Sequence, residues 1–455
     1  MAGRSLSSNV PEQSKEKLGA NPNYKRLFAA VALTFLGDGL TLTAVPWLIS
    51  GVTRDTFQAS LVTTAMRLPW LLFSLPIGVL IDRHSRKQIA VLSSLLRAAA
   101  LIALTACVAL NAVSIPLLMV FTFLIGVSRV AFDSTVQTLI PRIVHKDRLE
   151  KANGQFTAGQ LITSDILGAS LGGLIVTIGL VIPFAIDSAT ALLSFLILLS
   201  LRGAFRPEPA PDGPAQSDSA QGAAGEALPD ASGGSTRPGK RERTGWLREM
   251  SLGIRYIGGD PFLRLLAVMS VLVTLTFSGM VATQVFFVQD VLGLDSLGFG
   301  VLLAIATVGS VIGGQAVARW RKRAEANTVM LLSLLALGVC YGIVGLTRSP
   351  YVVGAFYFLA AFFIVTYNVV RSSILQRSVP DHLLGRVGSV FRFLSLGMGA
   401  IGALLGGLVV SLGEESLGLG RTASLQIPYW IVCVVDIALA AAAFARLRAA
   451  GRTRI

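Results

Sequence analysis

The chain is written in long apolar runs separated by short polar or charged breaks. Runs of about 18 or more apolar residues, the length an α-helix needs to cross the hydrocarbon of a bilayer, occupy 27-50, 57-81, 89-111, 115-140, 153-178 and 181-201. Six more occupy 262-288, 297-319, 327-347, 351-376, 388-413 and 427-446. The pattern predicts an all-α integral membrane protein with twelve spans. The breaks alternate between very short ones, as from Asn111 to Ser114 and from Gly179 to Leu180, and charged ones. One is far longer: residues 207-245 are rich in Pro, Gly, Ser and Ala and carry nothing to bury, which predicts a disordered linker. Beyond it Trp246, Leu247, Met250, Ile254 and Ile257 recur at helical spacing beside Arg248, Glu249 and Arg255. That spacing fits a short helix lying on the membrane surface and fits equally an extension of the seventh span.

The charged breaks orient the chain. With the first span running from inside to outside, the inner segments hold thirty-one Lys and Arg residues, and the outer loops hold three: Arg54, Arg348 and Arg421. The excess places both termini in the cytoplasm of a cell-membrane protein and agrees with an even number of spans. The expected organisation is a cytoplasmic tail over 1-23, a six-helix bundle over 24-201, a cytoplasmic linker over 202-260, a second bundle over 261-446 and a tail over 447-455. The first 23 residues are polar, with no cleavable apolar stretch before Tyr24, so the first span is expected to insert and stay.

Composition removes several function classes. Hydrophobic residues make up 53% and charged residues 14% of the 455 positions, more apolar surface than one soluble core buries. The net charge of +14 lies between the apolar runs rather than on a soluble face, which argues for membrane orientation and against nucleic acid as a partner. Cys107, Cys340 and Cys433 sit in apolar segments at unrelated spacings, and His84, His145 and His382 lie in separate basic loops. Neither a disulfide framework nor a metal site is expected. Glycine strings such as Gly402 to Gly407 lack the Lys-Ser/Thr ending of a phosphate loop and lie within an apolar run. Nothing suggests an enzyme or a nucleotide-driven pump; no cofactor is expected, and the partners are the lipid bilayer and a small-molecule substrate, handled by a monomer.

Three blocks recur in the same order at a shift of about half the chain, the mark of a duplicated six-helix unit. LIPRIVHKDRLEKANGQF (Leu139 to Phe156) lies on ILQRSVPDHLLGRVGSVF (Ile374 to Phe391). GASLGGLI (Gly168 to Ile175) matches GALLGGLV (Gly402 to Val409) at six of eight positions, and GVLIDRHSRK (Gly78 to Lys87) faces GGQAVARWRK (Gly313 to Lys322).

These residues resemble the major facilitator superfamily over essentially the whole chain outside the tails and linker. Gly78, Asp82, Arg83, Arg86 and Lys87 look like that family's signature between the second and third spans, with Ser85 where the family usually has Gly. The second copy keeps Gly313, Arg321 and Lys322 but has Val317 in place of the acid. From Leu139 through Asp187, with Asn153 and IPFAIDSATALLSF, the chain is similar to the drug-exporting branch that holds macrolide and enterobactin exporters. Ser164 to Gly173, with Gly168, Gly172 and Gly173, resembles an antiporter motif of the fifth span, with Ala169 where that motif usually has Pro.

Ionisable groups within the spans carry the candidate chemistry, because an unpaired charge near the bilayer centre costs at least ~2.5 kcal/mol. They are Asp38, Arg67, Arg97, Arg129, Asp133, Asp165, Asp187, Arg371, Arg392 and Asp436. Asp38 falls near mid-depth of the first span between Gly37 and Gly39, which would admit a neighbouring helix or ligand. The resemblance implies that spans one, four, seven and ten line a central cavity. Asp38 and Arg129 then become the leading pair for proton coupling and substrate contact, against a static pair that locks packing. Asp165 has Arg97 and Arg129 as candidate partners. Asp82, Arg86 and Asp133 would form the cytoplasmic latch the family closes when facing outward, while Asp187 looks structural. Gln284, Tyr367, Asn368 and Arg371 are candidate cavity residues, although polar groups buried for packing would look the same. The expected function is secondary export of an amphiphilic small molecule, an antibiotic or multidrug substrate, driven by the proton gradient. A siderophore exporter, a nutrient importer or facilitator, and a non-transporting membrane sensor are the alternatives.

Overall fold

Within hydrocarbon a backbone can satisfy its polar groups only internally, so each apolar run becomes a helix. A computed structural model describes residues 18–202, 246–321 and 324–449. The expected tails and central linker fall largely outside them. The first set of spans is α1 (Pro22–Val52), α2 (Thr56–Arg83), α3 (Arg86–Ala109) and α4 (Ile115–Ile143), then a fifth span built from α5 (Leu149–Gln160), a π-helical segment (Leu161–Gly168) and α6 (Ala169–Ile178), then α7 (Val181–Leu199). The separate helix α8 (Trp246–Gly259) precedes the second set: α9 (Pro261–Phe286), prolonged by a π-helical turn (Phe287–Val291), α10 (Ser296–Arg321), α11 (Ala326–Leu346), α12 (Pro350–Ser378), α13 (Asp381–Glu415) and α14 (Arg421–Ala449). Eleven described helices are long and apolar enough to cross a membrane; α2, at 28 residues, completes the twelve.

The starts are written locally. Asn21, Asp55 and Asp260 accept the first free backbone N–H groups of α1, α2 and α9 through their side chains, and proline stands in the first turn of α1, α4, α9 and α12. Asp260 therefore begins a new helix after Gly258 and Gly259. Thus α8 is a separate element rather than an extension of the seventh span, and it packs on α13 and α9.

The two sets repeat one packing scheme. Helix α2 packs on α4 as α10 packs on α12, α3 joins α4 and α7 as α11 joins α12 and α14, and α1 lies on α7 as α9 lies on α14. The sets meet at two crossings, α2 with α13 and α6 with α10. At one, a Cβ on Gly173 would run into the backbone of Ser296 and Gly300; at the other, a Cβ on Gly407 would strike Ser60 and Thr56. These glycines hold equivalent places in the recurring GASLGGLI and GALLGGLV blocks. The duplicated segment thus serves as the contact between halves in both copies, as close backbone approach in hydrocarbon requires.

The halves part towards one face and close at the other. On the face opposite the termini, Gln289 Nε2 donates to Ser50 Oγ (2.8 Å), Trp47 lies 6.3 Å from Phe299 between ring centroids, and Arg54 pairs with Asp290 (3.3 Å). Towards the face where α1 begins and α14 ends, the halves enclose an open cavity of about 920 Å³.

Candidate transport site

The cavity is lined by the terminal-face portions of α1, α2, α4, α5, α12 and α13. Its walls carry the aromatic residues Phe35, Trp70, Phe132, Phe156, Phe391 and Phe393, together with polar Asn153, Gln137, Gln160 and Gln376. Among the described residues, the charged ones that line it are Asp133 on α4 and Arg371 on α12.

Behind the wall contributed by α4 runs a chain of alternating charges. Arg97 on α3 reaches Asp187 on α7 through Nη2, at 2.9 Å to Oδ1 and 3.1 Å to Oδ2, while its Nη1 meets Asp38 Oδ1 on α1 at 2.5 Å. The other oxygen of Asp38 lies 3.2 Å from Arg129 Nη1, and Arg129 Nε lies 3.6 Å from Asp133 Oδ2 one turn along α4. Thr41 donates to Asp187 Oδ2. Asp187 is fully buried, Arg97 and Asp38 nearly so, and Asp133 reaches the cavity with a side chain 25% exposed. The series Asp187, Arg97, Asp38, Arg129, Asp133 thus leads from the interior of the first half to the cavity. Each inner charge is compensated by a neighbour, as survival in hydrocarbon demands.

Glycine positions Asp38. A Cβ at Gly37 would overlap the carboxylate of Asp187, and one at Gly39 would overlap the backbone of Ser164 and Gly168 in the π-helical segment. The approaching groups beside Asp38 are therefore helices α7 and the fifth span. Gly168 and Gly172 complete that contact against α1, whereas Gly173 faces α10.

The structure brings Asp38 and Arg129 together as the sequence suggests, and adds Arg97 and Asp187 to them. Arg97, a candidate partner for Asp165, is engaged by Asp38 and Asp187. Asp187, read as structural, anchors the buried end of the series. The rotation of α3 and α7 that joins them leaves no mark in hydropathy; Arg97 and Asp187 were visible only as intramembrane charges. The side chains of Asp82, Asp165 and Arg392 lie outside the described positions. Asp133 pairs within α4 with Arg129. In the loop motif, Lys87 Nζ donates to the backbone carbonyls of Leu199 (2.8 Å) and Leu201 (2.7 Å), tying α3 to the end of α7. Arg83 is exposed, Arg86 is half-buried, and Gly78 has open space where a Cβ would stand.

Of the four candidate cavity residues in the second half, Arg371 lines this cavity. Gln284 and Tyr367 turn inward and are buried, and Asn368 is exposed outside the lining, because successive positions on α12 face different directions. Asp436 on α14 is fully buried, and neither carboxylate oxygen has a hydrogen-bond partner among the described residues. Nearby, Tyr357 and Tyr429 join hydroxyls at 2.8 Å beside Tyr341.

A family model described as Major Facilitator Superfamily matches residues 27–403. The chain is 25% identical over 424 residues to the multidrug efflux pump Tap of Mycolicibacterium fortuitum, covering 91% of this chain and 94% of that protein. It is 24% identical over 400 residues to the enterobactin exporter EntS of Escherichia coli, covering 86% of each. Among solved structures, a mutant of the nucleoside transporter NupG superposes with a TM-score of 0.70 at 13% identity, over 93% of this chain and 99% of that one.

Proposed function

The chain belongs to the major facilitator superfamily, and we propose that within it this protein is a proton-driven exporter of an amphiphilic small molecule, residing in the cell membrane with both termini in the cytoplasm. The observation that carries the reading is the series from Asp187 to Asp133, which links a buried acid on α1 to the substrate cavity through Arg129. The relatives named as a multidrug efflux pump and an enterobactin exporter support export. The excess of Lys and Arg in the segments on the terminal face supports a cytoplasmic mouth for the cavity.

The reading implies two proton-dependent arrangements around one cavity. An amphiphile enters the cavity from the cytoplasm and settles between the two walls. Deprotonation of the acids behind the α4 wall restores the charge on Asp38 that holds Arg97 and Arg129. Protonation removes it and loosens both arginines from α1, while Arg129 keeps Asp133 and Arg97 keeps Asp187. The two proton-dependent arrangements differ in what ties α1 to α3 and α4, and alternating access uses that difference to rock the halves about the α2–α13 and α6–α10 crossings. Opening the opposite face requires parting Arg54 from Asp290 and Trp47 from Phe299.

Inverted membrane vesicles test the reading. Acidifying the lumen should drive a fluorescent amphiphile inward, and an uncoupler should abolish the movement. Accumulation that ignores the uncoupler would rule out proton coupling, and growth on a nutrient that depends on the chain would favour import. Siderophore export, supported by the EntS relative, is distinguished by loss of siderophore secretion in a deletion strain.

A further inference from the structure

The cavity wall from the first half presents an acid, and the wall from the second half presents a base. Asp133 keeps capacity to accept from a ligand: its ion pair among the described residues, with Arg129, is long, at 3.6 Å, and Arg129 lies closer to Asp38, at 3.2 Å. Arg371 is held by a neutral partner. Its Nη1 donates to Ser270 Oγ on α9 at 2.6 Å, its Nε finds no acceptor among the described residues, and no carboxylate pairs with it there. Aromatic residues line the same cavity: Phe35, Trp70, Phe132 and Phe156 from the first half, Phe391 and Phe393 from the second.

We propose that the cavity selects zwitterionic aromatic amphiphiles, molecules with a protonated amine for Asp133, a carboxylate or comparable anion for Arg371, and a flat apolar body for the aromatic residues of the lining. The proposal deepens the export reading and rests on it for the cavity being the substrate site. Its physical basis is the cost of mismatch. A ligand carrying only a cation covers Arg371 with apolar surface and leaves a desolvated guanidinium unanswered; a ligand carrying only an anion does the same to Asp133. A zwitterion answers both and gains two charge-assisted hydrogen bonds, with its flat apolar body covering them from solvent. Opposed charges on opposite walls therefore discriminate chiefly by penalising ligands of a single sign. The rigid ring system adds stacking area at little entropic cost.

The test uses rhodamine 110, a zwitterionic dye whose cationic amino groups keep N–H donors, and its methyl ester rhodamine 123, which keeps the ring, the donors and the cation but lacks the carboxylate. Binding to the purified full chain in lipid nanodiscs is read by fluorescence anisotropy. The acid should bind about tenfold or more tightly than the ester, the effect expected of one charge-assisted hydrogen bond to a buried arginine. Arg371→Gln should weaken the acid until the two affinities are equal; retained ester binding shows that this variant is folded. Arg371→Lys should keep part of the preference, and Asp133→Asn should weaken both dyes. Equal affinities in the wild type, or a preference that survives Arg371→Gln, would overturn the proposal. Uncoupler-sensitive movement of both dyes without that preference would remove this inference and leave export standing. The preference without proton-driven movement would do the reverse.

Discussion

Asp38 in the first six spans and Asp436 in the last six are both buried acids in helices that cross the membrane, yet their surroundings are opposite. Asp38 lies between two arginines and belongs to a series of five alternating charges that ends at the cavity. Asp436 stands beside Tyr341 and Cys433 with both oxygens lacking hydrogen-bond partners among the described residues. The duplicated scaffold explains why the two halves pack alike and cross alike; it does not explain this difference. A compensated series can pass a change of charge from one helix to the next, because each acid shares an arginine with another. A buried carboxyl with no hydrogen-bond partner among the described residues has no such relay. On the function proposed above, the first half is the one that responds to protons, while the second brings Arg371 to the cavity.

The largest effect should come from Arg97, which holds two acids from different helices. Arg97→Leu strands Asp38 and Asp187 together and should cost about 3–5 kcal/mol of stability, as removal of one partner from a buried pair does; thermal melting of the purified protein measures it. Asp436→Leu should move stability the other way, raising it by about 1–3 kcal/mol, because it deletes unpartnered polar atoms without leaving an orphan. A loss of stability there would mean that Asp436 is compensated after all, and the contrast between the halves would fail. The smallest effect belongs to the exposed ends of the molecule. Arg54 pairs with Asp290, which also meets Arg421 at 3.2 Å, and Arg421 meets Glu414 at 2.9 Å; of these four, Arg54 alone comes from the first half. Its side chain is 68% exposed, so Arg54→Gln should change the balance between the two facing states by only about 0.2–1 kcal/mol. Labelling of a cysteine placed at Ser50, which lies on the closed face against Gln289, should become modestly faster in that variant, as the opposite face opens more often.

Hydropathy and the recurring blocks made the architecture legible, since both depend on composition along the chain. The ends of the helices were less so: α13 begins at Asp381 and α14 at Arg421, each several residues before its apolar run, because helices extend past the hydrocarbon into polar surroundings. The π-helical segment from Leu161 to Gly168 was not visible at all; it lies where the backbone of Ser164 and Gly168 closes on Gly39, a contact between distant parts of the chain that local propensity does not reveal. At the site, Asp38 and Arg129 could be paired because the family resemblance supplied which spans face the cavity. Arg97 and Asp187 could not be joined to them, since their contact depends on the rotation of α3 and α7. Arg54 and Arg421 entered the sequence reading only as a count of outer charges, and spatial proximity made them the closure of the opposite face.

The central claim is that the charge on Asp38 couples proton movement to substrate movement. Proteoliposomes loaded with a pH-sensitive dye and given an outward-directed substrate gradient measure both fluxes at once, in the wild type and in Asp38→Asn. That variant leaves Arg97 with Asp187 and Arg129 with Asp133, and so should fold. The account predicts proton counterflow with the wild type, and in Asp38→Asn substrate movement down its own gradient with no accompanying protons. Proton counterflow of equal size in Asp38→Asn would contradict it.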